Sequence, residues 1–225
     1  MVLAYAFVGF DITKINYNSI TTASEFTTTK TEFAAYYANG YEEHFGGKNL
    51  TYDADGRMTG GTVTTYEAKF GDTVFYMEFS MAAAKIQAVI DTVSTKDDMQ
   101  LMANIFKGAD WLYGSDNADV LKGYAGNDRI DGNGGRDVMT GGAGKDIFAF
   151  SKYHGKNEIT DFEARNSHSS HDRIDLKDSG IIDSYAELKT MMSQHGDDVL
   201  IDFGKAELTL DDVTLSQIDR ADFLI

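Results

Sequence analysis

The stretch "GNDRIDGNGGRDVMTGGAGKDIF", residues 126–148, is crowded with Gly and Asp, and hydrophobic side chains occur in it only at intervals. By composition alone it would be assigned to a loop. An aspartate nevertheless recurs every nine residues, and an apolar residue follows each aspartate by two positions. The aspartates are Asp110, Asp119, Asp128, Asp137 and Asp146, and the apolar residues are Leu112, Leu121, Ile130, Met139 and Phe148. Two periodicities in phase over five copies indicate a structural repeat, because a flexible linker does not keep apolar residues in register.

The six residues that end at each aspartate predict a turn. Glycines are frequent in "GYAGND", "GNGGRD" and "GGAGKD", whereas the earlier copies "IFKGAD" and "GSDNAD" contain fewer. Glycine adopts left-handed backbone angles readily, so the chain can turn tightly and bring its carbonyls together. The residues after the turn predict a strand too short to bury its apolar side chain alone. Two nonapeptides therefore form one 18-residue coil, and the coils stack into a parallel β-roll over residues 105–160.

Stacking places the aspartates over one another, so that Asp110 faces Asp128, Asp119 faces Asp137, and Asp128 faces Asp146. The carboxylates repel each other, and the turn carbonyls point into the same gap, so the arrangement needs a cation. A site of six or more oxygen ligands is typical of Ca²⁺, since Mg²⁺ demands a tighter octahedral geometry and keeps its waters. The sequence therefore predicts calcium as the cofactor, and a loop in its absence.

The nonapeptide resembles the calcium-binding repeat of the RTX family, bacterial proteins that are exported by type I secretion machinery. The resemblance implies that the aspartates and turn carbonyls of two stacked turns share each calcium ion. On this chain the implied carboxylate ligands are Asp110, Asp119, Asp128, Asp137 and Asp146. The implied carbonyl ligands belong to Gly123, Ala125, Gly132, Gly134, Gly141 and Ala143.

Residues 161–225 are predicted to form a β-rich C-terminal cap. The motifs "NEITDF" and "DRIDL" resemble the end of the β-roll in secreted RTX metalloproteases. This resemblance implies Asp161 as a further calcium ligand, while Asn157 stands where the family often has Asp. After these motifs, "DSYAELKTMMS" predicts a helix capped by Asp183, and the alternating "GDDVLIDFGKAELTL" predicts a hairpin.

The last four residues place an acidic side chain before three apolar ones. They are Asp222, Phe223, Leu224 and Ile225. This pattern resembles the uncleaved C-terminal signal of type I substrates. It implies that the secretion machinery is a partner and that the protein is secreted and extracellular. An ordinary last strand is the alternative interpretation of the same residues.

Residues 1–104 are predicted to form an α+β domain. The segment "MVLAYAFVGFDITK" predicts a buried first strand, and "NLTYDADGRMTGGTVTTYEAKFGDTVFYMEFS" alternates as a β-meander does. Two helices are expected to follow. The first has Ser80 as its cap, and the second opens with a capping box from Thr95 to Asp98.

Catalytic motifs are absent from the sequence. It contains no H-E-x-x-H zinc helix, no G-x-S-x-G and no cysteine nucleophile. His44 in "YEEHF" is interpreted as a structural or surface residue, and His168 and His171 as solvated loop residues rather than a metal clip. Asp53 and Asp55 in "DADG" are interpreted as a hairpin turn rather than a fragment of an EF-hand.

A group of aromatic residues in the N-terminal half has three interpretations. Its members are Tyr36, Tyr37, Tyr41, Phe45, Tyr52 and Tyr66. Packing in a core or an interface is the first, and sugar binding is the second, because flat rings suit saccharide faces. The third comes from type I secreted haem scavengers, in which Tyr and His could ligate iron, although no matching motif is present.

The formal net charge of −16 restricts the partners. It argues against nucleic acids and anionic lipid, which both require Lys and Arg, and it favours cations. No apolar run is long enough to cross a membrane. The leading hypothesis is therefore a secreted, calcium-binding, non-enzymatic protein that binds or adheres to a cell surface, matrix or polysaccharide. The alternative is a small secreted enzyme that acts on polysaccharide, with its site in residues 1–104.

Overall fold

The structure is a computed structural model of the 225-residue chain. It describes all residues except 7–10, 15–16, 93, 152, 165–170, 178 and 181, so His168 lies outside the described residues. The chain divides into two compact units. We call Met1–Phe7 with Lys14–Ile105 the N-terminal unit, and Val8–Thr13 with Phe106–Ile225 the repeat unit. In the part of the chain that is described, no helix is long and apolar enough to span a membrane.

The N-terminal unit contains a sheet of six antiparallel strands in the order β1-β6-β5-β4-β3-β2. The strands are β1 (Leu3–Ala6), β2 (Glu25–Thr28), β3 (Glu32–Tyr36), β4 (Tyr41–Tyr52), β5 (Met58–Phe70) and β6 (Asp72–Ala82). The long strands β4, β5 and β6 form the meander that the alternating sequence predicts. Phe45, Tyr66 and Phe75 lie on the buried face of these strands, because every second residue points to the same side.

Two helices complete the N-terminal unit, α1 (Ala83–Ile90) and α2 (Thr95–Ile105). The prediction that Ser80 caps α1 is wrong. It lies in β6, because β6 stays paired with β5 as far as Ala82, and α1 begins only after this pairing ends. In α2, Thr95 is already helical, and the hydroxyl of Ser94 accepts a hydrogen bond from the N–H of Lys96 (3.3 Å). The start of α2 was therefore predicted one residue too late.

The repeat unit is built from short parallel strands. They are β7 (Trp111–Tyr113), β8 (Val120–Lys122), β9 (Arg129–Asp131), β10 (Val138–Thr140), β11 (Ile147–Ala149), β12 (Lys156–Ile159) and β13 (Arg173–Asp175). Strands β7, β9, β11 and β13 pair in one sheet, and β8, β10 and β12 pair in a second. Leu112 pairs with Ile130, and Ile130 with Phe148, so successive coils are 18 residues apart as predicted.

The apolar residue of each repeat points into the roll. Leu112, Leu121, Ile130, Met139 and Phe148 are each at most 2% exposed. Their strand neighbours on both sides remain partly exposed in almost every case, which is the alternation expected of a pleated strand with one buried face. The structure therefore confirms the predicted parallel β-roll and its column of inward side chains.

The C-terminal residues continue the two sheets of the roll. They form α3 (Tyr185–Met191), β14 (Met192–His195), β15 (Asp198–Asp202), β16 (Glu207–Leu210) and β17 (Phe223–Leu224). Strand β16 pairs with β12 in parallel, and β17 pairs with β13. The predicted hairpin is present as the antiparallel pair β15 and β16. Residues 161–225 thus lie in the same compact unit as the repeats, and their assignment as a separate cap stays a prediction.

The cap of α3 and the last four residues of the chain are the two places in this region where the structure adds to the sequence interpretation. The cap of α3 is Ser184, whose hydroxyl accepts from the N–H of Glu187 (3.2 Å), and the prediction of Asp183 was wrong by one residue. Asp222 is buried, and Phe223 and Leu224 form β17. Residues 222–225 therefore end in a paired strand of the roll, and their role as an export signal stays a prediction.

Replacing Ile130 by Ala should destabilise the repeat unit by about 2–5 kcal/mol, because it leaves a cavity in the closed column. Val138→Ala is the matched control, since Val138 is partly exposed on the outside of β10. Urea titrations in calcium, followed by fluorescence of Trp111, measure the difference, because the chain has one tryptophan and it lies in β7. Equal losses in the two variants would contradict the assignment of a tightly packed column.

Candidate calcium-binding turns

The repeat aspartates form two stacks, one along each edge of the roll. In the first stack, the backbone N–H of Asp110 donates to Oδ1 of Asp128, that of Asp128 to Oδ1 of Asp146, and that of Asp146 to Oδ1 of Asp172, each at 2.8 Å. Each carboxylate therefore bonds the backbone of the coil before it. The predicted facing of Asp110 with Asp128 and of Asp128 with Asp146 is confirmed.

The second stack repeats this geometry on the opposite edge. The N–H of Asp119 donates to Oδ1 of Asp137 (3.0 Å), and the N–H of Asp137 donates to Oδ1 of Asn157 (2.9 Å). Asn157 thus accepts the same hydrogen bond as an aspartate but contributes no charge. The second stack ends in a neutral amide, whereas the first ends in the carboxylate of Asp172.

The other oxygen of three repeat aspartates has no hydrogen-bond donor. The Oδ2 atoms of Asp128, Asp137 and Asp146 are buried and have no hydrogen-bond partner among the described residues. A buried carboxylate oxygen in this state costs free energy unless a cation compensates it. These oxygens are therefore the atoms that remain available as ligands of a metal ion.

The first glycine of each turn makes room for these oxygens. A Cβ added to Gly123 would lie within 3.0 Å of both Oδ2 of Asp128 and the carbonyl oxygen of Gly141. An added Cβ on Gly114 would meet Oδ2 of Asp119 and the carbonyl oxygen of Gly132 in the same way. A carboxylate oxygen and a carbonyl of the next coil thus converge beside these two glycines. The arrangement supplies the all-oxygen donor set that calcium prefers.

Burial raises the pKa of the stacked carboxyl groups. The pKa is raised to about 7 for Asp128, Asp137 and Asp172, and to about 6 for Asp146. In each group desolvation is the largest cause. The backbone N–H donors oppose it, and neighbouring carboxylates add to it. The ionised form of these carboxyl groups is therefore unfavourable in the folded protein, and a bound calcium ion would stabilise it.

The predicted carbonyl ligands lie in the turns, where several already accept hydrogen bonds. The carbonyl of Ala143 accepts from the N–H of Gly126 (2.7 Å), and that of Gly123 accepts from the N–H of Ala125 (3.1 Å). A carbonyl oxygen has two lone pairs, so one hydrogen bond leaves a second position for an ion. The ligand role of each carbonyl stays a prediction, including that of Gly134.

Asp161 lies beside the fifth turn rather than in either stack. Its carboxylate accepts from the N–H groups of Gly141 (2.9 Å) and Gly142 (2.8 Å). Its ligand role also stays a prediction. Sequence reasoning missed Asp172, which takes the stack position after Asp146 although it follows by 26 residues instead of 18. The motif "DRIDL" was the signal for it, because its first Asp precedes an apolar residue by two positions.

No three His, Cys, Asp or Glu side chains of the described residues come together as a metal-binding group. In the turns at Gly114 and Gly123, one carboxylate oxygen lies beside one backbone carbonyl, so the candidate ligands there include main-chain oxygens as well as side chains.

The candidate residues of the N-terminal unit are engaged in packing and hydrogen bonds. His44 places Nδ1 2.9 Å from Oε1 of Glu32 and Nε2 2.9 Å from Oε2 of Glu42. The buried carboxylate of Glu43 accepts from the hydroxyls of Tyr66 (2.7 Å) and Tyr37. The aromatic group does not form one face, because Phe45 and Tyr66 are buried in the core whereas Tyr36, Tyr37, Tyr41 and Tyr52 are partly exposed.

The family model of the RTX calcium-binding nonapeptide repeat matches residues 107–128 and 113–148. Residues 107–148 are RTX calcium-binding repeats. The matched residues include all five repeat aspartates and lie entirely within the repeat unit. RTX repeats bind calcium, so the cofactor predicted from the facing carboxylates is confirmed.

Two solved structures are similar to the chain. The AlgE6R3 subunit of the mannuronan C5-epimerase of Azotobacter vinelandii is 27% identical, with a TM-score of 0.40, over 52% of this chain and 73% of its own. The extracellular lipase LipA of Serratia marcescens is 18% identical, with a TM-score of 0.38, over 98% of this chain and 34% of its own. The comparison with curated proteins finds no match.

Gly123→Ala should raise the calcium concentration at the folding midpoint by at least about tenfold, equivalent to about 1.4 kcal/mol. The new Cβ would displace Oδ2 of Asp128 and the carbonyl of Gly141, while the backbone carbonyl of residue 123 is retained. Gly134→Ala is the comparison, because it also keeps the backbone carbonyl of a proposed ligand while its Cβ would come no closer than 3.2 Å to Asp116. Calcium titrations followed by circular dichroism measure both midpoints, and equal midpoints would contradict the oxygen cradle at Gly123.

In calcium-free buffer the repeat unit should be more stable at about pH 5 than at about pH 8. The pKa values of Asp128, Asp137 and Asp172 are raised in the folded state, so the folded form binds more protons than the unfolded chain. This contribution is complete below the unfolded pKa and is lost as the pH rises through about 7. Circular dichroism in EGTA at the two pH values tests it, because a unit that is unfolded without calcium at about pH 8 should gain β signal at about pH 5. Greater stability at the higher pH without calcium would show that the carboxylates are compensated in another way.

Proposed function

We propose that calcium ions bound between stacked turns of the RTX repeats hold the repeat unit in its folded form. The observation that carries the proposal is the set of buried Oδ2 atoms of Asp128, Asp137 and Asp146 without a donor. Each lies beside a glycine, and beside Gly123 the carbonyl of the next coil approaches the same point. Bound calcium would place a compensating positive charge beside these carboxylate oxygens.

The proposed ligand set keeps the residues assigned from the sequence. The carboxylates are those of Asp110, Asp119, Asp128, Asp137, Asp146 and Asp161, and the carbonyls are those of Gly123, Ala125, Gly132, Gly134, Gly141 and Ala143. Oδ2 of Asp119 accepts from the N–H and hydroxyl of Ser115, at 2.7 and 2.9 Å, so that turn is already partly satisfied. Within the proposal, Asp128 and Asp146 therefore bind calcium more strongly than Asp119.

Calcium binding is coupled to folding because the unfolded chain has no preformed site. Extracellular calcium modules bind with dissociation constants of about 10⁻⁴–10⁻³ M, far above the free calcium of a bacterial cytosol. The net charge of −16 opposes collapse until cations neutralise it. The repeat unit would therefore stay unfolded during export through type I machinery and fold outside the cell.

The role outside the cell is proposed to be non-enzymatic binding or adhesion at a surface, matrix or polysaccharide. In the N-terminal unit, Glu43 is held by two tyrosine hydroxyls and His44 lies between two glutamates. These groups have structural partners and no bound water or substrate position is needed to explain them. This supports a binding protein over a glycosidase, which needs two carboxylates facing each other across a cleft.

Asp128→Asn should have opposite effects with and without calcium. The amide oxygen can still accept from the N–H of Asp110, as Asn157 accepts from Asp137, so the scaffold is retained. Without calcium, loss of a buried charge should leave the β signal in EGTA unchanged or raise it. With calcium, the folding midpoint should shift to at least about tenfold higher concentration, because one charged ligand is lost.

Asp116→Asn is the matched control, since Asp116 is an exposed acid of a neighbouring turn. Circular dichroism and Trp111 fluorescence, recorded first in EGTA and then during calcium titration, follow the wild-type protein and both variants. The wild type should gain β signal on calcium addition. An unchanged signal in EGTA and in millimolar calcium, or a wild-type midpoint in Asp128→Asn, would overturn the proposal.

A further inference from the structure

The outer face of the sheet formed by β9, β11 and β13 contains a hollow of about 230 Å³. The hollow belongs to the repeat unit and is separate from the calcium-binding turns, which lie at the edges of the sheet. Its lining includes Arg129, Asp131, Ala149, His154 and Asp175. Nothing in the calcium-binding role requires these outward-facing side chains.

The stacking of coils creates the hollow. Ala149 pairs with Asp131 on one side and with Asp175 on the other, so a methyl group stands between two carboxylates. Phe150, Ser151 and His154, which follow β11, also line the hollow, and the ring of His154 lies edge-on to that of Phe150, with centroids 5.7 Å apart. The small side chain of Ala149 leaves room for a ligand among them.

One nitrogen in the hollow lacks a hydrogen-bond partner. Nδ1 of His154 is buried without a partner among the described residues, and Oδ1 of Asp131 lies 3.7 Å away, which is too far for a hydrogen bond. Oδ1 of Asp131 accepts from the N–H of Asn133 (3.0 Å) and keeps a second lone pair. A hydroxyl group of a ligand in the hollow could donate to this second lone pair of Asp131.

An exposed aromatic ring lies beside the hollow. Trp111 pairs with Arg129 across the sheet, and Tyr113 pairs with Asp131, so both residues lie on the strand next to β9, which lines the hollow. Trp111 is 46% exposed, although a tryptophan usually buries most of its surface. An apolar ring face next to convergent polar groups matches the two kinds of surface on a pyranose ring, its C–H face and its hydroxyls.

The charges of the hollow decide against other ligands. Arg129 already pairs with Asp175 at 2.8 Å, and Asp131 adds a second carboxylate, so an anionic ligand would meet repulsion. The lining is too polar for a lipid tail. The class of ligand that fits these charges is a neutral molecule with several hydroxyl groups.

We propose that this hollow, with Trp111 beside it, binds one pyranose unit of a neutral polysaccharide. The volume is below the range of about 300–1,000 Å³ that is usual for drug-sized ligands, which suits a single sugar ring. The inference rests on the proposed extracellular binding role and locates it on the roll instead of the N-terminal unit. Calcium would be required only because it folds the strands that carry these residues.

Affinity electrophoresis of the full chain in calcium tests the inference. The probes are dextran, laminarin, mannan and galactan as neutral polysaccharides, with polygalacturonate as the anionic comparison. At least one neutral polysaccharide should retard the wild-type protein, and the retardation should disappear in EGTA. Circular dichroism on the same samples reports whether the calcium-dependent folding step has occurred.

Four variants assign the binding to the hollow. His154→Ala and Arg129→Ala should each lower the affinity at least about tenfold, and Trp111→Ala should do the same by removing the ring face. Arg136→Ala is the charge-matched control, because Arg136 is exposed in a turn and does not line the hollow. Each variant should keep the calcium-induced change in circular dichroism. Ala149→Leu should also abolish binding by filling the hollow.

The outcomes separate this inference from the calcium proposal. Calcium-dependent folding without retardation by any neutral polysaccharide, or with retardation by polygalacturonate alone, would overturn the sugar site and leave the calcium role intact. Retardation that survives in folded His154→Ala, Arg129→Ala and Trp111→Ala would also overturn it. Absence of any calcium-dependent folding would instead overturn the proposed function.

Discussion

Each repeat aspartate uses its two carboxylate oxygens differently, and the repeat unit depends on this division. In Asp128 and Asp146, Oδ1 accepts the backbone N–H of the coil below, while Oδ2 is buried without a donor. The hydrogen bonds fix the register of successive coils. The same contacts bring carboxylates into a desolvated row, where their charge is unfavourable without a cation. Register and calcium dependence therefore have one origin.

The other features of the turns follow from the need to place oxygen atoms close together. A side chain on Gly123 would occupy the position where a carboxylate oxygen and the carbonyl of Gly141 converge. Gly144 has a positive φ of 151°, and an added Cβ would overlap the carbonyl of Gly126 one coil away. Glycine is therefore required by the spacing of the coils as well as by the turn angles. The apolar column supplies the remaining stability once calcium neutralises the edges.

The two faces of a repeat strand serve different purposes. The central residue, such as Ile130, is invariably buried in the column, so its role is packing. The flanking residues, such as Arg129 and Asp131, point outward and are free of this constraint. A regular scaffold of this kind brings outward residues from positions 18 or 26 apart into neighbouring rows. A binding surface can therefore form on the roll without disturbing its calcium sites.

The sequence by itself determined the period, the 18-residue coil, the inward column and the choice of calcium, because each depends on spacing along the chain. It did not determine where irregular coils rejoin the stacks. Asp172 and Asn157 follow their partners by 26 and 20 residues, and extra loop residues cost little entropy while the strands return to register. The start of α1 also differs from the sequence prediction, because β6 continues to pair with β5 past Ser80, and this pairing outweighs the capping preference of Ser80. Only the tertiary structure placed Ala149 between Asp131 and Asp175, because the hollow is lined by strands of three coils that no local sequence pattern connects.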